Sequence, residues 1–126
     1  MEKLNFDTGV VSYRIPGQGA LRFNPADPNL YSRFYEAQEK FTALEKELAA
    51  ASGDAVTTFR AADEKLKGLL NWMLGGDNDI DKALGGLSLL AVCGDGRTVA
   101  ANLLEALQKI LEQGAARLAD SKAAAL

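Results

Sequence analysis

The chain is expected to be an α+β protein, predominantly α, with an N-terminal β-hairpin packed on a small bundle of three to four helices. Three observations lead there. All three prolines (Pro16, Pro25 and Pro28) lie in the first 28 of 126 residues, while 19 of the 21 alanines fall at or after Ala37. Proline breaks helices and alanine favours them, so an extended head precedes a helical body. Within the head, Val11, Tyr13 and Ile15 alternate with Ser12 and Arg14, the period of a half-buried strand. Within the body, Leu30, Phe34, Ala37, Phe41, Leu44 and Leu48 recur at spacings of four and three, a heptad-like seam for a neighbouring helix.

The head reads as a hairpin. Leu21, Arg22 and Phe23 alternate in the same sense as the first strand, and PGQG between them supplies turn chemistry. Phe6 and Val10 extend the first strand, with Asp7-Thr8-Gly9 as a bend or bulge. Two strands alone are marginal in water, so the apolar face is expected to pack on the helices.

The first helix starts at Asp27, placed to cap, with Pro28 at the first helical position, where its missing N–H costs nothing. Glu36 and Lys40 form an i,i+4 pair. Ser52-Gly53-Asp54 interrupts the pattern. Asp54 can then cap a second helix carrying Val56, Phe59, Leu66, Leu69, Leu70 and Met73, with Asp63 and Lys67 paired and Gly75-Gly76 ending it. The alternative is one continuous helix from Pro28 to Leu74, which at 1.5 Å per residue would be roughly 70 Å long. That length is awkward for a small domain, so a helical hairpin is preferred.

Beyond Gly76, Asp79 to Leu84 makes one short helical turn, and Leu87, Leu89, Leu90, Ala91 and Val92 form a buried apolar segment. Asp95 in the Gly94-Asp95-Gly96 break is placed to cap the last helix. That helix carries Val99, Leu103, Leu104, Leu107, Ile110 and Leu111, with Glu105 and Lys109 paired outside. Gln113-Gly114 is a natural stop, after which Ala115 to Leu118 could resume the helix. One domain spans 1–126: a hairpin head over 1–26, a helical body over 27–119 and a frayed tail over 120–126.

Composition narrows the function classes. Hydrophobic residues at 48% and charged residues at 25% fit an ordinary globular chain and argue against wholesale disorder. A net charge of −3 leaves no electrostatic footprint for nucleic acid or for a membrane surface. No apolar run approaches the roughly 18 residues of a membrane span, and MEKLNFDTGV lacks the layout of a signal peptide. The single Cys93 fits a reducing cytoplasm. The chain has no histidine, which excludes imidazole-based triads and metal sites.

The polar clusters read as structure. Counting a calcium loop from Asp77 puts Lys82 and Ser88 where glycine and glutamate are required, so Asp77, Asp79 and Asp81 are a solvated, helix-capping loop. GDGR at 94–97 lacks the lysine and hydroxyl of a phosphate loop and reads as a turn. Cys93, preceded by Leu89 to Val92, reads as a small buried hydrophobe. No carboxylate pair stands in the apolar setting a general acid needs. The expectation is no enzyme, no cofactor, no metal, no small-molecule substrate and no nucleic-acid or membrane partner. What remains is apolar surplus: Leu69-Leu70-Trp72-Met73-Leu74 exceeds one helical stripe. Either a second contact surface or core packing under the 77–93 loop accounts for it. On the first reading Phe34, Tyr35, Phe41, Trp72 and Met73 form an exposed protein-binding surface.

The opening LNFDTGVVSYRI, the junction FNPADPNLYSRFYEA and the segment VCGDGRTVAANLLEAL together resemble small proteins from the tail-gene clusters of phages and prophages of Gram-positive bacteria. Such proteins are similar to the siphophage tail assembly chaperones. The resemblance covers most of the chain in order and length, rests on pattern rather than a catalytic signature, and departs at SGDAV, where the family is more charged. It implies a non-enzymatic chaperone that binds the long, helical, aggregation-prone tape measure protein in the bacterial host cytoplasm while tail tube subunits assemble around it. It further implies a homo-oligomer, absent from the finished virion and often made in two lengths by a ribosomal frameshift. The alternative is a structural virion protein, a tail or head–tail connector subunit.

Overall fold

The computed structural model describes residues 1–124. It is α+β and mostly helical, as expected: a two-stranded antiparallel hairpin followed by four helices. Strands β1 (Val11–Arg14) and β2 (Ala20–Phe23) pair Val11 with Phe23 and Tyr13 with Leu21. Leu21 and Phe23 are buried, Tyr13 and Ile15 pack against the same core, and the Tyr13 and Phe23 rings stack at 4.7 Å. The turn is closed by Ile15 N–H donating to Gly19 O at 2.9 Å. Gly19 itself is pressed on the helical body, since its N–H donates to Ala83 O at 2.8 Å and a Cβ would meet Ala83 Cα at 3.0 Å.

The two edges of this hairpin differ. At β2, the Asn78 side chain takes the place of a third strand: Arg22 N–H donates to Asn78 Oδ1 at 2.8 Å, and Asn78 Nδ2 donates to Arg22 O at 2.6 Å. The β1 edge has no such cover among the described residues. Phe6 and Val10 do not extend β1; residues 1–10 have no regular structure and both side chains are exposed. The bend is real, however, with Gly9 at φ +77° and its N–H donating to Asp7 Oδ1 at 2.8 Å.

Helix α1 (Pro28–Ala50) is capped by Asp27, which accepts from Asn29 N–H at 2.9 Å. Helix α2 (Ala55–Leu74) is capped by Asp54 and ends at Gly75 with φ +67°. The chain therefore breaks at 51–54 into a helical hairpin, and the continuous helix is ruled out. Arg33 on α1 closes the far end of α2, its Nε donating to Met73 O at 2.7 Å. A cation is favourable where a helix leaves carbonyls unpaired.

Leu30, Phe34, Ala37 and Phe41 of the seam are buried against Leu66, Leu70, Met73 and Leu74. Burial in α1 stops at Phe41 and in α2 begins at Leu66. The tip of the pair thus extends beyond the rest of the core, which is why Val56 and Phe59, expected among the packing residues of α2, are exposed.

Helix α3 (Ile80–Ala83) is the expected short turn, capped by Asp79. In the apolar run that follows, only Leu89 is buried, while Leu87 and Val92 are exposed. Residues 91–98 fold back on themselves: Val92 bridges Thr98, and Cys93 N–H donates to Arg97 O at 2.7 Å. That fold-back moves the helix start. Helix α4 (Val99–Ala124) begins after Thr98, whose Oγ1 accepts from Ala101 N–H at 3.1 Å, so Thr98 caps and not Asp95. Asp95 instead accepts from Arg97 N–H at 2.9 Å and from the Asn102 side chain, tying turn to helix.

Gln113-Gly114 does not stop α4, which runs through to Ala124. Of the expected frayed tail 120–126, residues 120–124 are helical and 125–126 lie outside the described residues.

One ionic cluster is more buried than the sequence implied. Lys67 is buried and its ammonium bridges Asp63 at 3.0 Å and Asp81 at 2.6 Å, while Asp63 also accepts from Leu89 N–H at 2.8 Å. This joins α2 to α3 and to the 84–91 loop. Burial pulls the Lys67 pKa down, but the hydrogen bonds and charges of Asp81 and Asp63 outweigh it and the net shift is upward.

Candidate functional site

The sequence singled out Phe34, Tyr35, Phe41, Trp72 and Met73 as exposed apolar positions. Three of them are not exposed. Phe34, Phe41 and Met73 lie in the core between α1, α2 and the rest of the body, because the seam they belong to is satisfied within the chain by the α1–α2 hairpin. Tyr35 and Trp72 are exposed, at 68% and 42%, but on opposite sides of α1. Tyr35 follows one turn after Tyr31, which faces α4 through an Oη···O contact of 2.7 Å to Leu111 O. Trp72 lies beside Lys40, whose Nζ is 4.8 Å from the centre of the indole ring. The five residues therefore do not form one surface.

The apolar surplus is exposed elsewhere. Between the inner face of the hairpin and α4 lies an open groove of about 420 Å³. Tyr13, Ile15 and Pro16 form one wall; Val99, Leu103, Ala106 and Ile110 form the other; Leu84 and Leu87 close one side. The α4 positions recur at 99, 103, 106 and 110, one stripe of a helix. Arg14 is the one charged residue of its lining, with Gln18 and Asn102 as polar neighbours and Cys93 contributing its thiol. Such a groove removes apolar side chains of a bound segment from water at about 25 cal/mol per Å² and places little polar chemistry against them.

The walls are held rigidly. The hairpin is fixed by Asn78 and Ala83, as described above. Helix α4 is fixed near its middle, where Gly114 meets Pro25 and Tyr31, and at its start by Thr98, Asp95 and the Arg97–Glu105 ion pair. The Arg97 guanidinium hydrogen-bonds the Glu105 carboxylate, which lowers the Glu105 pKa below the usual carboxylate range.

Of these α4 residues, Val99, Leu103 and Ile110 stand out in the sequence as apolar positions of the last helix, whereas Ala106 does not. The signal was present in proportion: a four-residue strand pair offers too little apolar face to cover a helical stripe from Val99 to Leu111. Among the described residues there is no group of His, Cys, Asp and Glu arranged to hold a metal ion. Likewise no described helix is long and apolar enough to cross a membrane. No family model, curated protein or solved structure matches the chain.

Proposed function

We propose that this protein is a non-enzymatic assembly chaperone of phage tails, which holds an apolar helical segment of the tape measure protein in the host cytoplasm. The observation that carries the reading is the open apolar groove between the hairpin and α4. An amphipathic helix laid in such a groove anchors through residues at i, i+3, i+4 and i+7. Its apolar face is then shielded until tube subunits replace the chaperone. The resemblance of the head and of the 92–107 segment to tail assembly chaperones supplies the identity of the client, and both matched segments contribute groove walls.

The test is co-expression with the long helical protein encoded downstream in a tail-gene cluster, read as soluble yield and co-purification. The long protein is expected to become soluble and to co-purify. An insoluble client with no bound chain, together with this chain in purified particles, would establish the structural virion subunit instead.

A further inference from the structure

The groove runs alongside an unpaired strand edge. Arg22 turns its N–H and C=O outward to Asn78, so the Ser12–Arg22 pair is a non-hydrogen-bonded pair of the ladder. Ser12 therefore points its own N–H and C=O away from β2, and Arg14, two residues on, does the same. Both residues are exposed, and no described group bonds these atoms. An occupant that satisfies both features must be an extended strand with apolar residues at every second position.

The chain carries such a segment. Leu4 and Phe6 are 90% and 72% exposed, in a stretch with no regular structure. Within its own molecule this arm is directed elsewhere. Asn24 Nδ2 donates to Thr8 O at 2.9 Å, and Asn24 follows the last residue of β2, so the base of the arm is held on the β2 side, away from the open edge.

We propose that residues 3–10 of a second copy add as an antiparallel strand along β1, placing Leu4 and Phe6 in the groove, and that the two copies exchange arms reciprocally. Placing Phe6 opposite Tyr13 sets Leu4 opposite Ile15 and brings Asp7 diagonal to Arg14, an opposite-charge pair. The same register holds in both directions, as a two-fold interface requires. Gly9, left-handed at φ +77°, serves as the bulge that turns the even-numbered Leu4 and Phe6 onto the face of the odd-numbered Tyr13 and Ile15. Eight extended residues span roughly 26 Å, enough to run the length of the β1 edge.

Because the arm and the client would fill one groove, self-association and client binding compete. The test uses the full chain alone and so does not depend on the client. Light scattering coupled to size exclusion is expected to give twice the 13.4 kDa chain mass for the wild type. It is expected to give the monomer mass for Leu4→Asp/Phe6→Asp and for Ala106→Glu. Leu4 and Phe6 are exposed in the monomer, so thermal melting of the double variant followed by circular dichroism should show an intact fold. A monomeric wild type at high micromolar concentration overturns the proposal, and so does an assembly of any order that survives the double substitution. Leu4→Asp/Phe6→Asp leaves the groove walls intact. Retained client binding in that variant, whatever its mass, keeps the chaperone reading separate from this one.

Discussion

Gly114, in the interior of α4, lies against the carbonyl of Pro25 so closely that a Cβ at position 114 would overlap that oxygen. The same junction holds Tyr31, whose Oη is 2.7 Å from both Pro25 O and Leu111 O. A glycine that reads in sequence as a helix stop is thus the point where the last helix docks on the head–body junction.

Gly114→Ala is therefore expected to destabilise. Alanine gains about 1 kcal/mol of helix propensity, but relieving a backbone clash of this kind costs roughly 3 kcal/mol or more. Urea unfolding should show a net loss of about 2 kcal/mol. Tyr31→Phe, which removes the bridging hydroxyl and leaves the ring, should lose about 1 kcal/mol.

How far sequence reached is visible at this junction. The hairpin, both aspartate caps of the α1–α2 pair and the Gly75 stop are local chemistry, and each was legible from a few adjacent residues. Gly114, the cap at Thr98 and the groove depend on contacts between segments far apart in the chain. Glycine in a helix means either termination or close approach, and only the position of Pro25 decides which. The apolar residues of α4 announced burial but not that the hairpin is too narrow to complete it. Phe34, Phe41 and Met73 failed as surface candidates for the opposite reason: their partners on the neighbouring helix were all present.

The Lys67 cluster predicts an alkaline loss of stability. Its folded pKa is raised above the ordinary lysine value of 10.5. The stabilisation is then fully present below that value and is lost as pH rises through the folded pKa. Tyr31 contributes with the same sign, since burial first and the neighbouring Tyr35 second raise it above 10.0. Stability should be flat through neutral pH and fall above about pH 10. Lys67→Met should flatten part of that fall while lowering stability at neutral pH by roughly 2 kcal/mol, because Asp63 keeps its burial and loses its cation. Chemical denaturation across pH, wild type against variant, checks both.

Asn78 predicts an aggregation phenotype. Asn78→Ala frees Arg22 N–H and C=O to water, at a cost of about 1 kcal/mol. It also creates a second unpaired edge on the hairpin. Light scattering during refolding should rise more than the lost stability accounts for, and Asn78→Gln should not restore the wild-type level, since its longer side chain misplaces the amide.

Tyr35 and Trp72, exposed on opposite sides of α1, lie outside the groove lining. Tyr35→Ala and Trp72→Ala should each leave client retention within about twofold of wild type, a difference of less than 0.5 kcal/mol. A loss of tenfold in either would move the binding surface to the α1–α2 pair.

The most direct measurement compares wild type with Ala106→Glu for the amount of tape measure protein retained on the tagged chain after co-expression. Ala106 is exposed in the groove wall, and glutamate is a good helix former, so the fold should be unchanged by circular dichroism. A carboxylate there must lose its water to any apolar segment that binds. Retention should fall by about tenfold or more, equivalent to at least 1.4 kcal/mol. Retention equal to wild type by a folded Ala106→Glu chain would contradict binding in the groove.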